Sequence, residues 1–207
     1  MKVFKKLFLS IVFVVLFSNS LVFASIAKAD TIASVSLENL YKQADFVAFV
    51  SILSGDVEYY DGAIYKAEVL KAYKGTKEKE IVYFGENISY GIGNEYLAFF
   101  NKSGKNIGQV VAKDVQNSSA PYDAKQVFFS IMYAGYSIMP VGFECLFDLK
   151  NKNNNCDYGI KLNAKQVAIP SNLKAFPEDT YSTTTYNRWV RRTSMETTLE
   201  DLKRKNP

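Results

Sequence analysis

Between residues 45 and 115 the hydrophobic period is two, broken repeatedly by glycine and lysine, and this limits the fold more than any other feature. Asp45-Phe-Val-Ala-Phe-Val-Ser-Ile-Leu53 is dense in β-forming residues. A turn from Gly55 to Gly62 carries Tyr59 and Tyr60. Ala63 to Tyr73 then alternates, which predicts Tyr65, Ala67, Val69, Lys71 and Tyr73 on one face. Lys74-Gly75 ends that strand, and Ile81 to Phe84 is the next. Gly85, Gly91 and Gly93 mark a loop before Tyr96-Leu-Ala-Phe-Phe100. A turn at Ser103-Gly104 precedes Ile107 to Ala112, read as the fifth strand. Short strands joined in this way predict a small barrel or sandwich. Upstream, Ser36 before Leu37, Leu40 and Tyr41 predicts a short capped helix over Leu37 to Gln43.

The remainder has fewer signals. Ala124 to Tyr136 holds Val127, Phe128, Ile131 and Met132, a spacing open to either helix or strand. Phe143 to Leu162 alternates at both ends around a Lys/Asn-rich middle, the pattern of a β-hairpin. A turn near Lys150-Asn151 places the only two cysteines, Cys145 and Cys156, opposite each other. A disulfide there stabilises by about 3 kcal/mol on the chain-entropy model. Lys165 to Pro170 reads as a final strand, and the Thr-rich stretch from Pro177 to Tyr186 as an extended loop. Thr193 and Glu196 have capping-box spacing for a last helix over 194–205, with Met195, Leu199 and Leu202 as its apolar stripe.

Charge and leader bear on location. The chain has 207 residues, no histidine, 25 bases and 21 acids. Lys2, Lys5, Lys6 and Lys28 fall within residues 1–29, which hold no acid, so the remaining bases and acids balance. Lys2, Lys5 and Lys6, the apolar run from Leu7 to Phe17 and the small residues of Ala27-Lys28-Ala29 form the three parts of a secretory signal. Cleavage is expected between Ala29 and Asp30, with no lipid-bearing cysteine nearby and no stable membrane anchor afterwards. The expected location is secreted or periplasmic, where a structural disulfide is stable.

The strands from Ala44-Asp45-Phe-Val-Ala-Phe-Val, through Tyr65-Lys-Ala-Glu-Val-Leu-Lys-Ala-Tyr-Lys-Gly75 and Ile81-Val-Tyr-Phe, to Gly93-Asn-Glu-Tyr-Leu-Ala-Phe-Phe100 carry a resemblance. Over residues 36–112 the chain resembles the netrin-module superfamily, the OB-fold barrels of tissue inhibitors of metalloproteinases and their bacterial secreted relatives. The resemblance implies a five-stranded barrel with a capping helix. In the inhibitors the mature chain begins with a cysteine whose amino and carbonyl groups sit on the catalytic zinc. Here the expected first residue is Asp30 and the nearest cysteine is Cys145. That mechanism is not carried over.

The expected fold is therefore mainly β: a small five-stranded OB-like barrel over 30–115 with short flanking helices. A C-terminal extension over 116–207 follows, with a disulfide-stapled hairpin at 143–162 and a terminal α-helix. A neutral body offers no electrostatic footprint for nucleic acid. Without histidine there is no Ser-His-Asp triad, Cys-His pair or imidazole metal cage, and no cofactor or metal motif is read. The functional expectation is an exported, non-catalytic binding or scaffold protein that recognises an extracytoplasmic protein or glycan. Its candidate contacts lie in two barrel loops, Tyr59 and Tyr60 in one and Lys102 and Lys105 in the other. The rival expectations are a carboxylate-dependent hydrolase of cell-surface glycans and a protease inhibitor lacking the zinc-chelating cysteine.

Overall fold

The computed structural model describes residues 34–59, 62–85, 90–110, 125–133, 136–148, 153–177 and 187–206. The expected leader and its cleavage site lie outside these residues, as does Tyr60. The described part belongs to one unit, Ser34–Pro207.

Five strands close a barrel: β2 (Phe46–Tyr59), β3 (Gly62–Lys74), β4 (Ile81–Gly85), β5 (Glu95–Asn106) and β6 (Val127–Ile131). β2 pairs antiparallel with β5 and β3, and β3 with β4. β6 lies parallel to β4 and antiparallel to β5, which completes the ring. This is the OB-like arrangement. β5 is the pivot of the molecule. One edge pairs with β2, while the other pairs first with β7 (Ile138–Asp148) and then with β6. From β7 the same sheet runs on through β8 (Asn153–Asn163) and β11 (Asn187–Arg191) to β10 (Ala175–Pro177). Two short strands, β1 (Val35–Ser36) and β9 (Val167–Ala168), pair in parallel beside it.

The apolar run in β2 is nearly continuous because both of its faces are buried. Phe46, Ala48, Val50 and Ile52 point inwards to Tyr65, Ala67, Val69, Val82, Phe84, Ala98, Phe100 and Phe129. Rings stack there: Phe84 and Phe100 lie 4.6 Å apart between centroids, and Phe46 and Phe100 5.3 Å. The small alanines leave space for them. The barrel interior is thus a packed core. Val47 and Phe49 point outwards, with Leu97 and Phe99 of β5. That outer face is covered by α1 (Leu37–Gln43) and α3 (Arg192–Lys205), through Leu37, Leu40, Tyr41, Met195, Leu199 and Leu202. A third small cluster joins Ile64, Tyr83 and Phe128 to Ile107 of α2 (Ile107–Val110).

Several expectations change. The segment read as the fifth strand, from Ile107, begins with α2 instead. Asn106 and Gln109 fix its start: Gln109 N–H donates to Asn106 Oδ1 at 3.1 Å, and Asn106 N–H to Gln109 Oε1 at 3.0 Å. This reciprocal pair is a capping box in another residue alphabet. The true fifth strand is β6, so the barrel extends past residue 115. The strand alternative for 124–136 holds, and the Ser103-Gly104 turn is an irregularity within β5. There Gly104 has φ +75°, Ser103 Oγ accepts from Lys105 N–H, and the same hydroxyl donates to Phe128 O.

The face predicted for β3 also breaks. Phe49 pairs with Lys71 but Val50 with Val69, so Leu70 is a bulge. Tyr65, Ala67 and Val69 remain inside while Lys71 and Tyr73 turn outwards. The expected final strand is shortened to β9, and β10 and β11, not read in the sequence, flank residues 178–186. α3 begins at Arg192 with Arg191 as an N-cap that makes no side-chain cap bond. The Thr193–Glu196 capping box is not formed, because the start at Arg192 puts Thr193 inside the helix and Glu196 is bound to Lys71 and Arg192.

Candidate functional site

The two predicted contact loops do not converge. Phe46 pairs with Phe100 and Ser51 with Glu95, so β2 continues past the start of β5 to reach Tyr59. Lys102 and Lys105 lie beyond Phe100, at the opposite end of the barrel. Roughly 40 Å of strand, at about 3.3 Å per residue, separates the two places. Lys102 and Lys105 are exposed, and the Lys102 N–H donates to Asp45 Oδ2 at 2.9 Å. They belong to the strand irregularity described above and form no free loop.

A charged cluster forms where the Leu70 bulge sends Lys71 towards α3. Lys71 Nζ donates to Glu196 Oε2 at 2.9 Å, and Arg192 Nε to Glu196 Oε1 at 2.8 Å. Arg192 Nη1 donates to Glu95 Oε2 at 2.9 Å, and its Nη2 makes an ion pair with Glu95 Oε1 at 2.7 Å. The guanidinium carbon stands 4.5 Å from the Phe49 ring centroid. Partial burial by itself raises the Glu196 carboxyl, but hydrogen bonds and charge from Lys71 and Arg192 outweigh it and hold the group below the usual carboxylate range. Beneath them, burial, then the charges of Glu196 and Glu200, push the Tyr73 hydroxyl well above its ordinary value. A carboxylate whose charged form is favoured in this way is the reverse of what a general acid at neutral pH requires. The cluster clamps α3 to β3 and β5.

The hairpin of β7 and β8 extends past the strands that flank it. β5 pairs with β7 only as far as Glu95–Val141, and β11 with β8 only between Gly159 and Asn163. Beyond those rungs, among the described residues, the two strands pair only with each other, to Asp148–Asn153. Phe143 and Tyr158 pair across this ribbon with ring centroids 5.4 Å apart, 61% and 53% exposed. Cys145 pairs directly opposite Cys156 in the ladder, in the register the sequence predicts. No sequence signal singled out the aromatic pair, because Phe143 and Tyr158 read as ordinary members of an alternating hairpin.

At the root of the extension, Lys174, Phe176, Arg191 and Ser194 line a cavity of about 320 Å³. Lys174 Nζ lies 4.8 Å from the Phe176 ring centroid. Trp189 pairs with Phe176 and lies against Gly159, where an added Cβ would meet the indole at 2.9 Å. Gly159 therefore admits the tryptophan.

Among the described residues no group of three or more Asp, Glu, Cys or His side chains could hold a metal, and no helix is long and apolar enough to cross a membrane. Comparison with protein-family models, curated proteins and solved structures finds no match to this chain.

Proposed function

We propose that the chain is an exported, non-catalytic binding protein of the netrin-like kind, acting on an extracytoplasmic partner through the β7–β8 hairpin. The observation that carries this reading is the pair of large, exposed aromatic rings on a ribbon that projects from a filled barrel. A barrel packed with stacked rings serves as a rigid mount. Aromatic side chains supply contact area at low entropy cost and recur as interface anchors. Two such rings left in water on the same ribbon form an apolar patch, and patches of this kind mark interaction sites. The leader-like segment at residues 1–29 supports export.

A disulfide between Cys145 and Cys156 belongs to the same proposal. Directly opposed antiparallel residues have Cα atoms about 4.5 or 5.5 Å apart, and both spacings suit the bond. It would stiffen the ribbon below its tip.

The test is crosslinking capture in the native host with Phe143→Ala plus Tyr158→Ala. Captured partner is expected to fall at least tenfold while the melting temperature stays within a few degrees. Undiminished capture by the double variant removes the hairpin as the contact surface. The earlier loop assignment is tested beside it by Lys102→Ala plus Lys105→Ala, which are expected to leave capture unchanged.

A further inference from the structure

The hairpin's backbone says more about the partner than its rings do. The Phe99 N–H donates to Ser137 O at 2.7 Å, and Leu97 and Glu95 pair with Met139 and Val141. Odd-numbered residues of β7 therefore address the β5 side. Pro140 agrees, since its missing donor falls on the other side, just before the β8 ladder begins at Val141. Past Val141 the same parity directs the N–H and C=O groups of Phe143, Cys145 and Phe147 into the space that β5 has left. Among the described residues no strand pairs with them there.

Native sheets protect such edges with lysine, proline or a bulge. From Gly142 to Asp148 the sequence is Gly-Phe-Glu-Cys-Leu-Phe-Asp, which has neither lysine nor proline, and its pairing with β8 is regular. Among the described residues nothing pairs with this edge, and its backbone runs unbroken from Gly142 to Asp148.

We propose that this edge receives an extended segment of a partner polypeptide, added as a strand that continues the line of β5. The inference rests on the hairpin being the contact surface and goes on to name the mode and the partner's chemistry. Only another backbone in extended conformation supplies donors and acceptors at the repeat these groups present. Glu144 stands directly opposite Asp157, and like charges in that position repel. The segment that fits alternates apolar residues, set beside Phe143 and Tyr158, with basic residues, set beside Glu144 and Asp157. Its paired length is about seven residues, since the turn from Gly91 to Asn94 bounds one end and the hairpin tip the other.

The probe is a seven-residue peptide alternating lysine and valine, added to the full chain and followed by amide hydrogen exchange. Expected is new protection at Phe143, Cys145 and Phe147, with no change at Gly142 and Glu144, which already address β8. The same peptide N-methylated at alternate positions, or with glutamate replacing lysine, should bind at least tenfold more weakly. Phe147→Pro removes one donor from the edge without touching the β8 ladder and should abolish the protection, whereas Phe147→Ala should retain it. Binding without protection at those three amides overturns strand addition, as does equal binding by the N-methylated peptide, which leaves the protein unaltered. A concentration-dependent dimer dispersed by Phe147→Pro, with no peptide binding, would give the edge to a second copy and also overturn it. Capture from the envelope that is lost in Phe143→Ala plus Tyr158→Ala but kept in Phe147→Pro would leave the proposed function standing and refute this mode alone.

Discussion

Glu196 shows how one residue can be recognised in sequence and assigned the wrong partner. Its spacing from Thr193 suits a capping box, yet its oxygens are taken by Lys71 and Arg192. Charge-assisted bonds of this kind are about twice as strong as neutral ones. Lys71 could not be foreseen as its partner because strict alternation kept it on the same face as Tyr65, and the Leu70 bulge moves it out. A consequence follows for acid stability. The folded-state carboxyl of Glu196 lies below its unfolded value of about 4.3, so its contribution is present above that pH and is lost as pH falls through the folded value. Glu196→Gln is expected to lower stability at pH 7 and to flatten the loss as pH falls below the unfolded value of about 4.3. Urea melts across that range measure it, and an unchanged acid slope would contradict the role given to the cluster.

At the level of elements, strands whose two faces carry different burdens were easier to find than to orient. β2 through β5 were visible because their apolar residues come in dense runs between glycines. β6 stayed ambiguous because a short apolar segment fits either period. β10 and β11 escaped because short strands at a sheet margin carry little pattern. α1 was legible to the residue: Ser36 caps it, accepting from Asn39 N–H at 3.1 Å, and both the cap and the apolar spacing are written locally. α2 was legible too, had Asn106 and Gln109 been read as a box. The hairpin is the element with a direct chemical test. Mass of the exported protein with and without reductant is expected to differ by the two hydrogens of one disulfide, and alkylation before reduction should label neither Cys145 nor Cys156. Two labelled thiols would remove the staple.

On the scale of the whole molecule, barrel and extension are not separable bodies, since one strand serves both. The outer core draws on α1, β2, β5, β7, β8, β11 and α3 together. Leu199 lies fully buried at that junction. Leu199→Ala should therefore cost about 3 kcal/mol, in the usual range for a buried leucine, and lower the midpoint of the entire transition. A separate early phase for the extension, with the barrel melting at its original denaturant concentration, would show two independent domains instead. The candidate site was the least legible part. Tyr59, Tyr60, Lys102 and Lys105 follow from the loop positions of a barrel, whereas the exposure of Phe143 and Tyr158 depends on where β5 and β11 stop, which no local pattern records.

The shared edge of β5 also imposes an order in time. A chain emerging from its N-terminus makes β2 to β5 first, but the ring stays open until Val127–Ile131 arrives. Until then the Phe100 to Asn106 half of the β5 edge has no ladder. The outer face of Phe49 and Leu97 waits longer, for Met195, Leu199 and Leu202 near the chain's end. Because long-range pairing delays folding, a molecule halted before α3 carries a closed barrel whose outer flank lacks Met195, Leu199 and Leu202. That flank is completed only when the last helix docks.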